Sequence, residues 1–190
     1  MDKTECGSVN VDVRHIQSRF FCGKTLDLDY LESRLNYTEY DRGLKSLVIH
    51  RKMPEKCTAQ VYPTGRVIVH VTSVDTDLVK KRCRQIARLI QRSDHQVKFK
   101  NYSLLRIQAS VKLDYCINLV NFAKSDTRIM FEPELGPEIG SAAAHFTMDY
   151  LSTSFVIYRT GKLTIYCSSN VPELAEAVNL IEKKLILFKI

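Results

Sequence analysis

No Cys-x-x-Cys pair occurs in this chain, although it has six cysteines, at positions 6, 22, 57, 83, 116 and 167. Thiols scattered in this way indicate neither a zinc site nor a disulfide framework, and they read as reduced intracellular side chains. The five histidines, His15, His50, His70, His95 and His145, form no His-x-His or His-Glu-x-x-His arrangement, and no Gly-x-Ser-x-Gly elbow is present. Without such clusters no metal, cofactor, small-molecule substrate or enzymatic activity is expected. An N-terminal apolar targeting region is missing, and so is any run long enough to cross a bilayer. The expectation is a soluble protein of the cytosol or nucleus, without a membrane partner.

What is present suits a folded body. At 190 residues and 45% hydrophobic, the chain can bury a core, as one domain or as two small fused halves. Twenty-eight Lys and Arg against 21 Asp and Glu leave a formal charge of +7, which favours a polyanionic partner.

The most informative stretch occurs twice. VYPTGRVIVHVTS, from Val61, and VIYRTGKLTIYCSS, from Val156, share a plan: Tyr158 set on Tyr62, an offset of 96, also aligns Thr160 with Thr64, Gly161 with Gly65, Lys162 with Arg66 and Ser169 with Ser73. Each copy predicts an apolar strand, a Thr-Gly turn that needs a positive φ, a second alternating strand and a helix. Upstream, HIQS (from His15) echoes RIQAS (from Arg106), so the order recurs in both halves.

A period of two places Ala59, Val61, Val67, Val69 and Val71 on one face of the first hairpin, with Gln60, Tyr62, Arg66, Ile68 and His70 on the other. In the second, Phe155, Ile157, Leu163, Ile165 and Cys167 face inward, and Tyr158, Lys162, Thr164 and Tyr166 outward. Further strands are expected over Val9–Phe21 and within 44–53, and a short helix over Leu26–Leu35. The helix from Asp75 to Arg92 has Leu78, Val79, Ile86, Leu89 and Ile90 on one side and Lys80, Lys81, Arg84, Arg88 and Arg92 on the other, with Arg82 in the apolar stripe as a snorkelling side chain. After Pro172 a second long helix lines up Leu174, Ala177, Val178, Ile181, Leu185 and Phe188. Residues 136–154 read as an extended loop, and 1–8 as a polar tail before a first repeat over 9–100 and a second over 101–190. Antiparallel sheets with one apolar face, covered by amphipathic helices, make an α+β arrangement.

FEPELGP (from Phe131), RQIARLIQR (from Arg84), LDL with a later Glu39-Tyr40, and the two Tyr-x-Thr-Gly turns, in this order, resemble the conserved domain of the TATA-box-binding protein and TBP-related factors. The resemblance spans roughly residues 9–188 and is nearest to a divergent TBP-related factor. It implies a saddle of two pseudo-symmetric halves, each with a curved antiparallel sheet and two helices on the convex side. It further implies a nuclear transcription-initiation factor whose concave face meets the minor groove of promoter DNA. Kinking by inserted apolar wedges is this family's own described mechanism, not one deduced from this chain. The EPEL segment, with Glu132, Glu134 and Leu135, matches the family's contact with transcription factor IIB. The basic helix face of Lys80, Lys81, Arg84, Arg88 and Arg92 is expected to receive transcription factor IIA or a competing regulator.

The groove-reading positions depart from the family. Its wedge phenylalanines match Leu44, Tyr62, Gly136 and Tyr158; its asparagine pair matches His15 and Arg106; neighbouring valines match Gln17 and Gln108; threonines match His70 and Tyr166. With Gln60, Arg66 and Lys162 these make up the expected DNA-binding set, in which hydrogen bonding and charge replace apolar contact, so TATA preference is expected to be weak or altered. Two other readings stand beside this one: a protein scaffold that has lost DNA binding, and a single-strand binder that stacks bases on its tyrosines. Tyr62 and Tyr158 also suit ordinary strand positions, and His15 and His70 ordinary surface histidines.

Overall fold

A computed structural model describes residues 4–6, 9–52, 56–93, 96–133, 142–168 and 170–190. They divide into two compact units, His15–Leu105, and Arg106–Ile190 together with Met1–Arg14. The division cuts two long strands, β2 (Val9–Phe21) and β7 (Lys100–Lys112), so each gives one part to either unit.

In the unit His15–Leu105, β3 (Thr38–Asp41), β4 (Ser46–Arg51), β5 (Cys57–Val61) and β6 (Arg66–Val71) follow one another as antiparallel neighbours, and β6 then pairs with β2. Two helices, α1 (Leu28–Arg34) and α2 (Thr76–Arg92), belong to the same unit. The expected alternation holds: Ala59, Val61, Val67, Val69 and Val71 are all buried.

The other unit repeats the plan with β8 (Met130–Glu132), β9 (Ala143–Met148), β10 (Thr153–Tyr158), β11 (Lys162–Cys167) and then β7. Its helices are α3 (Leu119–Lys124) and α4 (Val171–Leu185). Phe155, Ile157, Leu163, Ile165 and Cys167 face the core as expected. Part of the polar segment 1–8 is strand, because β1 (Thr4–Cys6) pairs with the start of β2.

One expectation is overturned. The segment read as a long loop contains β9, which ladders along the whole of β10 and buries Ala143, Ala144, Phe146 and Met148. Its alanine run carries little strand propensity, so the pairing with β8 and β10 and the burial of its side chains make it a strand.

The helices start where their caps dictate. Asp75 accepts hydrogen bonds from the Asp77 and Leu78 amides, and Asn170 from the Glu173 amide, satisfying donors the helix leaves open. The buried stripe of α2 is Val79, Cys83, Ile86, Ala87 and Ile90, while Leu78 and Leu89 are only half-buried at its margins. Hydropathy alone passed over Cys83, whose Sγ lies 3.1 Å from Ser18 Oγ in the core. Burial pushes this thiol up to about 11, so it stays neutral. Arg82 is held by Gln85, whose Oε1 accepts from Arg82 Nη1 at 2.6 Å. The α4 stripe is as expected through Leu185, but the helix ends there and Phe188 follows in a 3-10 turn, edge-on to Phe122 at 5.4 Å.

The Tyr102 hydroxyl is buried without a hydrogen-bond partner among the described residues, and burial pushes its pKa up to about 12. A buried, unpaired hydroxyl opposes folding, so Tyr102→Phe is expected to leave stability unchanged or raise it by about 1 kcal/mol in urea unfolding. A loss of that size would reveal a bond the hydroxyl makes in solution.

Candidate nucleic-acid interface

The strand faces that point away from the helices carry the candidate residues. In the unit His15–Leu105 the alternation brings His15 and Gln17 of β2, Gln60 of β5, Tyr62 just after it, and Arg66 and His70 of β6 onto one open face. Gln17 sits directly across from His70, and its Nε2 lies 3.4 Å from His70 Nε2. The His15 ring is 6.3 Å from that of His70. Burial, and then the neighbouring His15, lower the His70 pKa and favour a neutral ring. Gln60 Nε2 donates to the buried Ser46 Oγ at 3.0 Å, which fixes that amide against the sheet. Leu44 stands on the β3–β4 turn, 60% exposed, its amide donating to Asp41 Oδ1.

In the other unit the open face gathers Arg106 and Gln108 of β7, Tyr158 of β10, and Lys162 and Tyr166 of β11, with Gln108 directly across from Tyr166. The tyrosines of both units share one feature. Arg66 lies over Tyr62 at 4.3 Å, Arg106 over Tyr166 at 5.3 Å and Lys162 over Tyr158 at 6.0 Å, so each ring carries its own cation. Gly136, Glu134 and Leu135 lie outside the described residues. Glu132 is exposed on the edge strand β8, with its Oε2 3.8 Å from His145 Nε2.

Three cations belong to these faces that the sequence reading passed over. Arg19 Nε donates to Ser103 Oγ at 2.9 Å, Arg14 Nε donates to Ser110 Oγ at 3.1 Å, and Lys112 is paired across from Lys162. The period of two marks Arg19 from the sequence. It does not mark Arg14, because the buried side of β2 changes from Val11 and Val13 to Ile16, Ser18 and Phe20, and Arg14 and His15 are the consecutive pair where it switches. Among the outward positions of β5, β6, β10, β11, residues 15–21 of β2 and residues 106–112 of β7 there is no carboxylate.

On the helix side, Lys81, Arg84, Arg88 and Arg92 are exposed, and Lys80 is half-buried with its Nζ 5.6 Å from the Tyr102 ring. A pocket of about 370 Å³ opens beside α2, walled by Arg51, Arg82, Arg88 and Arg92 around Ile86 and Leu89. Among the described residues no group of three or more His, Cys, Asp or Glu side chains could hold a metal ion. No described helix is long and apolar enough to cross a membrane.

The class these features define is a duplicated α+β protein with an open, cationic sheet face in each unit. The family described as transcription factor TFIID (or TATA-binding protein, TBP) matches residues 10–93 and 102–188, and the chain belongs to this family of non-enzymatic transcription factors. It is 26% identical to a TATA-box-binding protein of Pyrodictium occultum over 92% of this chain and 85% of that one. It is likewise 26% identical to a TBP-related factor of Drosophila melanogaster, over 94% of this chain and 78% of that one. The solved structure of Methanococcus jannaschii TBP superposes with a TM-score of 0.73 at 16% identity, covering 92% of this chain and 97% of that chain, so the expected α+β fold of TBP type is the one found.

Proposed function

We propose that this protein is a divergent TBP-related initiation factor of the nucleus, which binds promoter DNA through its open sheet faces and docks general transcription factors with its helix side. The observation that carries this reading is the composition of the open faces. Arg19, Arg66, Arg106, Lys112 and Lys162 stand there, the one carboxylate on the central strands is Asp12, which is paired to Arg14 at 3.1 Å, and polar readers lie between them. Such a surface suits a phosphate backbone.

TATA selectivity is expected to be weak. Wedge insertion needs a bare apolar ring, and Tyr62 and Tyr158 each carry a hydroxyl and a cation over the ring. Anisotropy titrations with a TATA duplex, a scrambled duplex and a single strand test this. The expected result is duplex binding with less than about tenfold preference for TATA. Strong TATA selectivity would overturn the altered preference. A clear single-strand preference would instead support the stacking reading, and no binding to any probe would support the protein scaffold.

The basic side of α2 supports docking of transcription factor IIA or a competing regulator, and Glu132, with Glu134 and Leu135, docking of transcription factor IIB. Arg84→Glu with Arg88→Glu is expected to weaken transcription factor IIA binding by about 100-fold or more, since reversal adds repulsion to lost attraction. Interferometry with purified factors reads this, with circular dichroism as the folding control. Unchanged affinity for transcription factor IIA would remove the docking role from this helix.

A further inference from the structure

We infer that Gln17 and His70 make the unit His15–Leu105 a reader of guanine in the minor groove, selecting the 2-amino group that an A·T pair lacks. The inference rests on the DNA-binding reading above and adds its base preference.

The argument starts from which atoms the pair leaves available. Gln17 Nε2 faces His70 Nε2 at 3.4 Å, and two nitrogens can form a hydrogen bond only if one donates and the other accepts. The Gln17 amide has hydrogens to give. His70 Nε2 therefore acts as the acceptor, and its ring proton sits on Nδ1. Burial of His70, and His15 beside it, favour this neutral ring.

With its nitrogen engaged, Gln17 keeps its carbonyl oxygen as an acceptor on a half-buried part of the open face, and among the described residues no donor meets it. The neighbouring cation Arg19 donates through its Nε to Ser103 and makes no hydrogen bond to Gln17. A ligand that covers this face must satisfy that oxygen or leave it desolvated and unpaired.

The minor groove offers a donor in one case only. A·T and T·A pairs present acceptors alone, the adenine N3 and thymine O2, whereas a G·C pair adds the guanine 2-amino group. Against A·T the Gln17 oxygen would face another acceptor. Against G·C it receives an N–H, and the remaining Gln17 hydrogen and the His70 Nδ1–H are donors suited to guanine N3 or cytosine O2.

The test changes one functional group at a time. Wild-type protein is titrated against matched duplexes with a central G·C pair, the same pair with inosine for guanine, a central A·T pair, and that pair with diaminopurine for adenine. Removing the amino group is expected to weaken binding about fivefold to tenfold, and adding it to A·T to strengthen binding by a similar factor, the worth of about one hydrogen bond. In Gln17→Met, which keeps the side chain's length but neither polar atom, both differences are expected to vanish. Equal affinity for all four duplexes, tighter binding without the amino group, or an undiminished amino-group preference in Gln17→Met each overturns the assignment. Failure to bind any duplex would overturn the DNA reading itself, and so separates the two.

Discussion

Alanine at Gly65 or Gly161 is expected to destabilise the fold by about 3–5 kcal/mol each. Both glycines adopt the left-handed region, at φ +81° and +79°, which costs a residue with a Cβ about 1–2 kcal/mol by itself. The added methyl would also meet backbone. A Cβ on Gly65 falls 2.0 Å from the Lys24 carbonyl oxygen, and one on Gly161 falls 2.2 Å from that of Tyr115. Neither neighbour can swing aside as a flexible side chain would. The turn also fixes the strands around it, since the Gly65 carbonyl accepts from Cys22 N at 2.8 Å and the Gly161 carbonyl from Leu113 N at 2.9 Å. Native domains are stable by only about 5–15 kcal/mol, so either change removes a large share. Urea unfolding followed by circular dichroism measures it. Gly43→Ala is the control, with no positive φ and a Cβ contact of 3.4 Å to a side-chain oxygen, and it should cost little. A loss under about 1 kcal/mol at Gly65 would mean that the turn is not fixed as described.

Removing the charges of Arg66, Arg106 and Lys162 together is expected to lower duplex affinity by about 100-fold or more near physiological salt. Each neutralised phosphate releases counterions and adds about −0.9 to the slope of log K against log salt, so three lost contacts flatten that slope by about 2.7. The three side chains are exposed on open faces whose central strands hold one carboxylate, Asp12, paired to Arg14 at 3.1 Å. Each also lies over a tyrosine, which keeps the cation near the sheet without neutralising it. Titrations of wild type and the triple alanine variant from low to moderate salt read both quantities. An unchanged slope would move phosphate contact to another surface, the arginine-lined side of α2 being the first to test.

The two predictions draw on different levels of the chain. Gly65 and Gly161 were legible from the repeat, because a Thr-Gly pair between two alternating strands specifies a turn with a positive φ. What the alanine would strike was not legible, because Lys24 and Tyr115 are far away in sequence. The hairpin faces were read correctly, since a period of two is a local property of extended backbone. Arg14 was missed because the buried side of β2 switches at Arg14–His15, and a single strand's alternation cannot announce its own interruption.

The sequence by itself determined the duplication, the inward and outward faces of both hairpins, and the amphipathic helices. These follow from periodicity, turn chemistry and side-chain type, which act over a few residues. Only the tertiary structure decided that Ala143–Met148 is a strand, that Cys83 belongs to the core against Ser18, and that the Gln17 amide meets His70 so that its oxygen is left over. Each of these is a pairing between segments, and a partner set by folding writes no period into either stretch.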